Sequence, residues 1–281
     1  MEAHPDTVTE EGLRRLVSAG FNRISFGLQS MDNDELLQIG RPTSAEAARK
    51  AVLTAWAAGF ANISLDLIYG LPGQTLKSWI LTVNEAIALA PTHLSCYALT
   101  VEDKTRLQID LTRGDGIEPD QELQNVMEDE AASRLTAAGF DRYEISNYSR
   151  PGHRCRHNLH YWTGGDYLGL GPSAQSYLTG RRFGNVEDLT AYAHALEEGR
   201  LPTGSVETLP PEQRRREALV FGLRLIEGID LPDVAGPEPD GDWTDAVMRL
   251  TGQGLLETRH RRLRLTELGR RYADSVAVEL L

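Results

Sequence analysis

The stretch AAGFANISLDL, Ala57–Leu67, decides the fold. It reads as the last turn of a helix, a glycine in the left-handed position past its end, a phenylalanine folding back, and then a strand. The same spelling returns in SAGFNRISFGL from Ser18 and AAGFDRYEIS from Ala137. The first two copies lie about 40 residues apart and the third about 80 beyond, a spacing that marks repeated helix-plus-strand units. A degenerate unit, ALAPTHLSCYAL from Ala88, fills the gap, with Pro91 taking over the helix stop. Units of this kind build a parallel sheet. Thr7 with Glu10 and Thr43 with Glu46 have capping-box spacing and predict helix starts there.

Side chains alternate across a strand, so each predicted strand divides into two faces. Ile24, Phe26 and Leu28 share one face, and Ser25, Gly27 and Gln29 the other. In the next strand Ile63, Leu65, Leu67 and Tyr69 oppose Ser64, Asp66 and Ile68. The apolar sets suit packing against helices. The other sets put a polar group, Gln29 or Asp66, near the strand's C-terminal end, where βα barrels and open α/β sheets hold ligands. With no G-x-G-x-x-G opening a helix, a barrel or partial barrel explains the pattern better than a doubly wound sheet.

Past Asn185 the character changes. The segment EQRRREALVFGLRLIEGI reads as a helix with Ala218, Phe221, Leu225 and Ile226 on its apolar side, followed by the linker PDVAGPEPDGD and the helix WTDAVMRLTGQG. LLETRHRRLRLTELGRR then alternates like a hairpin before turning helical. The expected α/β architecture is a partial (βα) TIM-like barrel over residues 1–185, with a small winged-helix-like domain over 205–281.

Composition narrows the function. A net charge of -12 argues against chain-wide affinity for nucleic acid or anionic membrane, the run RHRRLR at Arg259–Arg264 being the exception. No run of 18 apolar residues exists, and MEAHPDTVTEE lacks the basic and apolar segments of a signal peptide, so a cytoplasmic protein without a membrane span is expected. Cys96 and Cys155 are too few and too far apart for a disulfide scaffold or a cysteine-rich metal motif.

Asp66 lies inside the apolar run ISLDLIYGL, where a carboxylate needs partners. It is read either as a loop cap or as a ligand contact. GLPGQT, Gly70–Thr75, opens a helix and equally makes an anion cradle or a tight turn. CRHNLHYW, Cys155–Trp162, packs two histidines and two aromatics into eight residues, as a ligand wall or as core.

ISFGLQS, the IGR at Ile39–Arg41 and LDLIYGLPGQT together resemble the oxygen-independent coproporphyrinogen III oxidase family of radical S-adenosylmethionine proteins. YEISNYSRPGHRCRHNLHYW and GDYLGLGPSA are similar to its haem-chaperone branch. The likeness extends along the chain to LTELGRRYADSVAVELL. It implies S-adenosylmethionine contacts at Glu2, Gln29, Arg41 and Asp66. It also implies haem contacts at His157, Asn158, Tyr161 and Trp162, with the His157 imidazole a candidate iron ligand; His160 could compete. Haem delivery to apoproteins, respiratory haem proteins among them, is the implied function. Oxidative decarboxylation of coproporphyrinogen III is the alternative, and a winged-helix nucleic-acid module ranks third.

The pattern breaks at one place. Such proteins hold a 4Fe-4S cluster through C-x-x-x-C-x-x-C, and this chain has no such motif, so catalysis by it alone is not expected. Met1 falls where the family is in the middle of a strand, which leads us to expect an N-terminally incomplete chain. Gln175, in GPSAQSY, stands where relatives commonly carry histidine.

Overall fold

The computed structural model describes residues 1–114, 116–230 and 241–281, and its contacts divide the chain into two units, 1–155 and 156–281. In the first unit, β1 (Glu2–Ala3), β2 (Arg23–Gln29), β3 (Asn62–Tyr69) and β4 (His93–Ala98) lie side by side and parallel. They alternate with helices α1 (Glu10–Ser18), α2 (Asn33–Gln38), α3 (Ala45–Ala58) and α4 (Leu76–Ala88), as the repeat predicts. Helices α5 (Arg106–Arg113) and α6 (Gln121–Ala137) follow β4.

The glycine of the repeat does what its spelling implies. Gly59 sits at φ 103°, ends α3, and turns Phe60 into the core. The face assignment also appears in the packing: Ile24, Phe26, Leu28, Ile63, Leu65 and Leu67 are all 0% exposed and pack with Ala48, Val52 and Trp79 from the helices. Each such side chain contributes about 1.5–3 kcal/mol on burial. The Trp79 indole N–H donates to the Met127 carbonyl at 2.8 Å, which ties α4 to α6.

Three local expectations need correcting. The third copy of the repeat keeps its Gly139 exit and buried Phe140, but no parallel strand follows. The Glu144 carboxylate accepts from the Ser146 amide and the Asn147 side chain, reversing the chain between β5 (Asp141–Arg142) and β6 (Asn147–Ser149), which pair antiparallel. β6 then closes antiparallel on β4. The helix caps also move: Thr9 caps α1 and Ser44 caps α3, while Thr7 bonds the His4 carbonyl and Thr43 the Asp6 carboxylate. A capping box does occur at Thr75 and Ser78 of α4, with serine where glutamate or glutamine is usual.

The second unit opens with α7 (Arg156–Trp162). An antiparallel sheet follows, β7 (Gln175–Leu178), β8 (Arg181–Asn185) and β9 (Thr203–Thr208), with α8 (Leu189–Glu197) inserted before β9; β9 ends the sheet and is exposed at every position. Then come α9 (Pro211–Gly222), β10 (Ile229–Asp230), α10 (Gly241–Gly252), the hairpin β11 (Leu256–Arg259) and β12 (Arg262–Leu265), α11 (Glu267–Arg271) and α12 (Ala273–Leu280). The helix, helix, hairpin order matches the expected C-terminal outline, with sheet order β10-β12-β11. α9 stops at Gly222, so Leu219 and Leu223 are buried while Ala218 and Phe221 are exposed. Residues 232–240, most of the expected linker, lie outside the described residues.

Two candidate sites

In the first unit, the sheet gathers Glu2, Gln29, Arg41 and Asp66. Parallel register sets Glu2 beside Ser25, and Gly27 beside Asp66, so these residues share the face opposite the helices. The Ser25 hydroxyl donates to the Asp66 carboxylate at 3.0 Å, and Ser95, next in register on β4, bonds it from the other side. Burial still raises the Asp66 pKa above the usual carboxylate range, against these two bonds, and the charge of Glu2 adds to the rise. Asp66 therefore has local partners and still bears the cost of burial near a strand end.

Gln29 and Arg41 meet over Gly27. A methyl group at Gly27 would come within 3.0 Å of the Gln29 amide nitrogen and 3.7 Å of the Arg41 guanidinium, which also donates to the Gly27 carbonyl at 3.4 Å. Gln29 occupies φ 65° at a break in the β2–β3 register, an uncommon conformation for a non-glycine residue. The GLPGQT turn resolves differently. The Gln74 side-chain oxygen Oε1 accepts from the Gly70 and Leu71 amides at 2.7 and 3.3 Å, and the Gln74 side-chain nitrogen donates to the buried Glu35 carboxylate at 2.9 Å. The turn thus satisfies its own amides, and those two are not available to an anion.

A buried chain of polar groups on the same face escaped the sequence reading. His93 lies between the Ser64 hydroxyl, 2.9 Å from Nδ1, and the Tyr143 hydroxyl, 2.9 Å from Nε2. Burial lowers its pKa to about 3, so the ring is neutral. The signal is present in THLSCYAL, where His93, Ser95 and Tyr97 alternate with Leu94 and Cys96 inside the degenerate repeat unit.

In the second unit, helix α7 divides the HNLHYW motif. His157 and Tyr161 are one turn apart, their rings edge-on with centroids 4.8 Å apart, and Tyr161 continues to Tyr167 at 4.5 Å. Tyr167 reaches Tyr177 at 6.3 Å, and the two residues exchange backbone hydrogen bonds of 2.7 and 2.9 Å. His157 is exposed and Tyr161 half-buried, so this row of rings presents a surface rather than filling a core. Trp162 turns to a different side, shared by helical spacing with half-buried Asn158. It packs on Phe221 with centroids 6.3 Å apart and lies under the Arg224 guanidinium at 4.6 Å. Gly222 makes room for Ile229, whose side chain a β-carbon there would meet at 2.1 Å. His160 packs against Gly165 and bonds the Asp166 carbonyl at 2.6 Å, a turn-closing role that occupies the ring nitrogen. Gln175 likewise closes a turn, donating to the Ser173 carbonyl at 3.2 Å.

The donor sets differ in what they fit. Glu2, Gln29, Arg41 and Asp66 supply charges and amide groups around Gly27, the bare spot on the face, which suits a zwitterionic ligand such as S-adenosylmethionine. His157 offers an exposed imidazole beside aromatic rings, which suits haem as cargo. A four-iron cluster is not matched. Cys96 belongs to the helix-facing side of β4, fully buried, with its thiol pKa pushed up to about 12, and Cys155 lies by Tyr143, whose hydroxyl accepts from its amide at 3.4 Å. Two thiols so placed do not make a three-thiolate cage.

Comparison with known proteins gives the following similarities. Residues 1–86 match the radical SAM superfamily model, and residues 209–272 match that of the HemN C-terminal domain. The chain is 36% identical to the haem chaperone HemW of Mycobacterium tuberculosis over 280 residues, covering 100% of this chain and 70% of the relative. It is 35% identical to HemW of Bacillus subtilis, covering 98% and 74%. It is 32% identical to a mitochondrial radical S-adenosyl methionine domain-containing protein 1 of Bos taurus, covering 100% and 67%. Among solved structures, coproporphyrinogen III oxidase (HemN) of Escherichia coli superposes with a TM-score of 0.83 at 20% identity, over 99% of this chain and 68% of that one. At that identity the likeness establishes the fold.

Proposed function

We propose a function from one premise: this chain belongs to the HemW family of haem chaperones within the radical S-adenosylmethionine superfamily. On that footing it binds haem on helix α7 and passes it to apoproteins in the cytoplasm, respiratory haem proteins among them. The observation that carries this reading is the exposed His157 imidazole, edge-on to Tyr161 and continued by Tyr167. An imidazole with a free approach can take an axial position on iron, and the neighbouring rings offer apolar faces to a flat macrocycle. We assign Asn158 and Trp162 to the margin of the same site.

The parallel sheet is assigned to S-adenosylmethionine, held by Glu2, Gln29, Arg41 and Asp66. Support comes from their convergence on the Ser25–Gly27 segment of β2. Since Cys96 and Cys155 do not fit the cluster, no redox step is assigned to this chain, and the decarboxylase alternative has less support than the chaperone. The nucleic-acid reading weakens further. Within RHRRLR, Arg262 lies 3.5 Å from the Asp230 carboxylate, and Arg264 donates to Glu257 at 2.7 Å, so these charges are already engaged.

The test is a haem titration followed by absorbance. His157→Ala should weaken binding and shift the Soret band; an unchanged titration would remove His157 from the site. Because the His160 ring is tied to Asp166, His160→Ala should leave the band where it is.

A further inference from the structure

Four polar side chains are buried together where β2 and β3 end. Ser30 follows β2 directly, Glu35 lies on α2, Gln74 in the turn after β3, and Thr82 on α4. The Thr82 hydroxyl accepts from the Met31 amide at 3.1 Å and lies 3.3 Å from the Ser30 hydroxyl. Ser30 accepts from the Asp32 amide at 3.0 Å and donates to the Glu35 carboxylate at 2.5 Å. The same carboxylate oxygen accepts from Gln74 at 2.9 Å. The other, Oε1, has no hydrogen-bond partner among the described residues.

Such a cluster is a poor way to gain stability. A half-bonded carboxylate keeps part of its desolvation cost, and apolar side chains of the same size would fill the space without it. What the cluster does fix is backbone. Immediately before Ser30, Gln29 sits at φ 65°, and the Ser30 amide donates to the Leu28 carbonyl at 2.8 Å, which closes a γ-turn on Gln29. Strain of that kind costs about 1–3 kcal/mol and lasts only where the surroundings hold it. Here the contacts of the Ser30 hydroxyl with Glu35, Asp32 and Thr82 do so. The turn takes Gln29 out of step with β3, where the register passes from Gly27 opposite Asp66 to Gln29 opposite Leu67, and leaves its amide nitrogen over Gly27.

We infer that Glu35 is a positioning residue for the ligand site on the sheet: through Ser30 it holds Gln29 in the turned conformation that brings the Gln29 amide beside Arg41 over Gly27. This rests on the S-adenosylmethionine reading above. Glu35 is itself buried, so it acts on the ligand through Gln29 and not by contact. The unfavourable burial of a carboxylate and the strained turn are then two parts of one device, the first keeping the second in place.

The experiment is a double-mutant cycle on the full chain, with S-adenosylmethionine binding read by calorimetry and folding checked by circular dichroism. Gln29→Ala and Glu35→Leu should each weaken binding about tenfold. The double variant should be less than about twofold weaker than Gln29→Ala alone, because Glu35 then has nothing left to position. Glu35→Gln, which keeps an oxygen to accept from Ser30 and Gln74, should recover most of the affinity. Ser30→Ala, a smaller change, should repeat the pattern of Glu35→Leu and carries the test if that variant does not fold. Losses that multiply to about a hundredfold in the double variant overturn the inference, since a general loosening of the sheet would add to the loss of Gln29. Glu35→Leu and Ser30→Ala binding as tightly as wild type overturn it too. Gln29→Ala binding as tightly as wild type overturns the inference and leaves S-adenosylmethionine at Asp66 standing, whereas a wild type without affinity overturns both.

Discussion

The two units hold their candidate sites by different means. In residues 1–155 Gln29 and Asp66 project from strands that have a neighbour on each side, Asp66 lying between Ser25 and Ser95, while Glu2 sits on the edge strand β1. In residues 156–281 the candidate residues ride on a seven-residue helix with no buried residue, steadied by ring contacts. A site built on a parallel sheet is rigid before any ligand arrives. A site on a short exposed helix can adjust to a large ligand and can release it. That contrast fits a pocket for a small zwitterion in one unit and a cargo surface in the other.

The comparison can be broken by mutation. Phe26, fully buried under the helices, should cost about 3–5 kcal/mol when changed to alanine. Tyr161→Ala, at a half-buried position on α7, should cost only about 1 kcal/mol. Thermal or denaturant melts of each variant measure both losses, and similar losses would mean that α7 is as firmly built in as the sheet.

Acid should act on the sheet through His93. Its folded-state pKa is lowered to about 3, so the unfolded chain binds a proton there first as pH falls. Stability from this group is present above about pH 6.5 and is lost progressively toward pH 3. His93→Gln should flatten that part of the profile, measured by melts across the range; an unaltered profile would place the acid sensitivity elsewhere.

Asp66 has the opposite sign. Its pKa is raised by burial, so the folded chain keeps the proton to higher pH than the unfolded chain does, and stability from this group falls as pH rises above about 4. Asp66→Asn should stabilise the protein near neutral pH by an amount on the order of 1 kcal/mol. It should also abolish S-adenosylmethionine binding in calorimetry. Retained binding would make Asp66 a loop cap and no more.

The sheet was legible because a parallel strand writes period two twice, once in each face, and the Gly-Phe exit marks where it starts. Context still decided the details. Phe60 and Phe140 are 2% and 1% exposed, yet Phe21, in the same spelling, is 46% exposed, because only the two-residue β1 flanks β2 on that side. Antiparallel β5–β6 was missed since its cause is side-chain chemistry, the Glu144 carboxylate bonding Ser146 and Asn147, which no periodicity reports. In the second unit α7 is too short for a helical period to show. Its aromatic motif flagged the region, but the division of that motif between Tyr161 and Trp162, and the contribution of Arg224 from beyond α9, arise only in three dimensions.

Strand β9 brings a practical consequence. It runs along the outer margin of its sheet with Thr203, Ser205 and Glu207 among its exposed residues, and Glu207 engages Arg182 of the neighbouring strand at 3.3 Å. A bare margin of backbone donors and acceptors invites another chain to zip onto it, and hydroxyls with a charge on such a margin discourage that. The behaviour of concentrated stocks on the bench is therefore set here: replacing Glu207 with valine, beside the already exposed Val206, would turn a polar hem into an adhesive one without touching either candidate site.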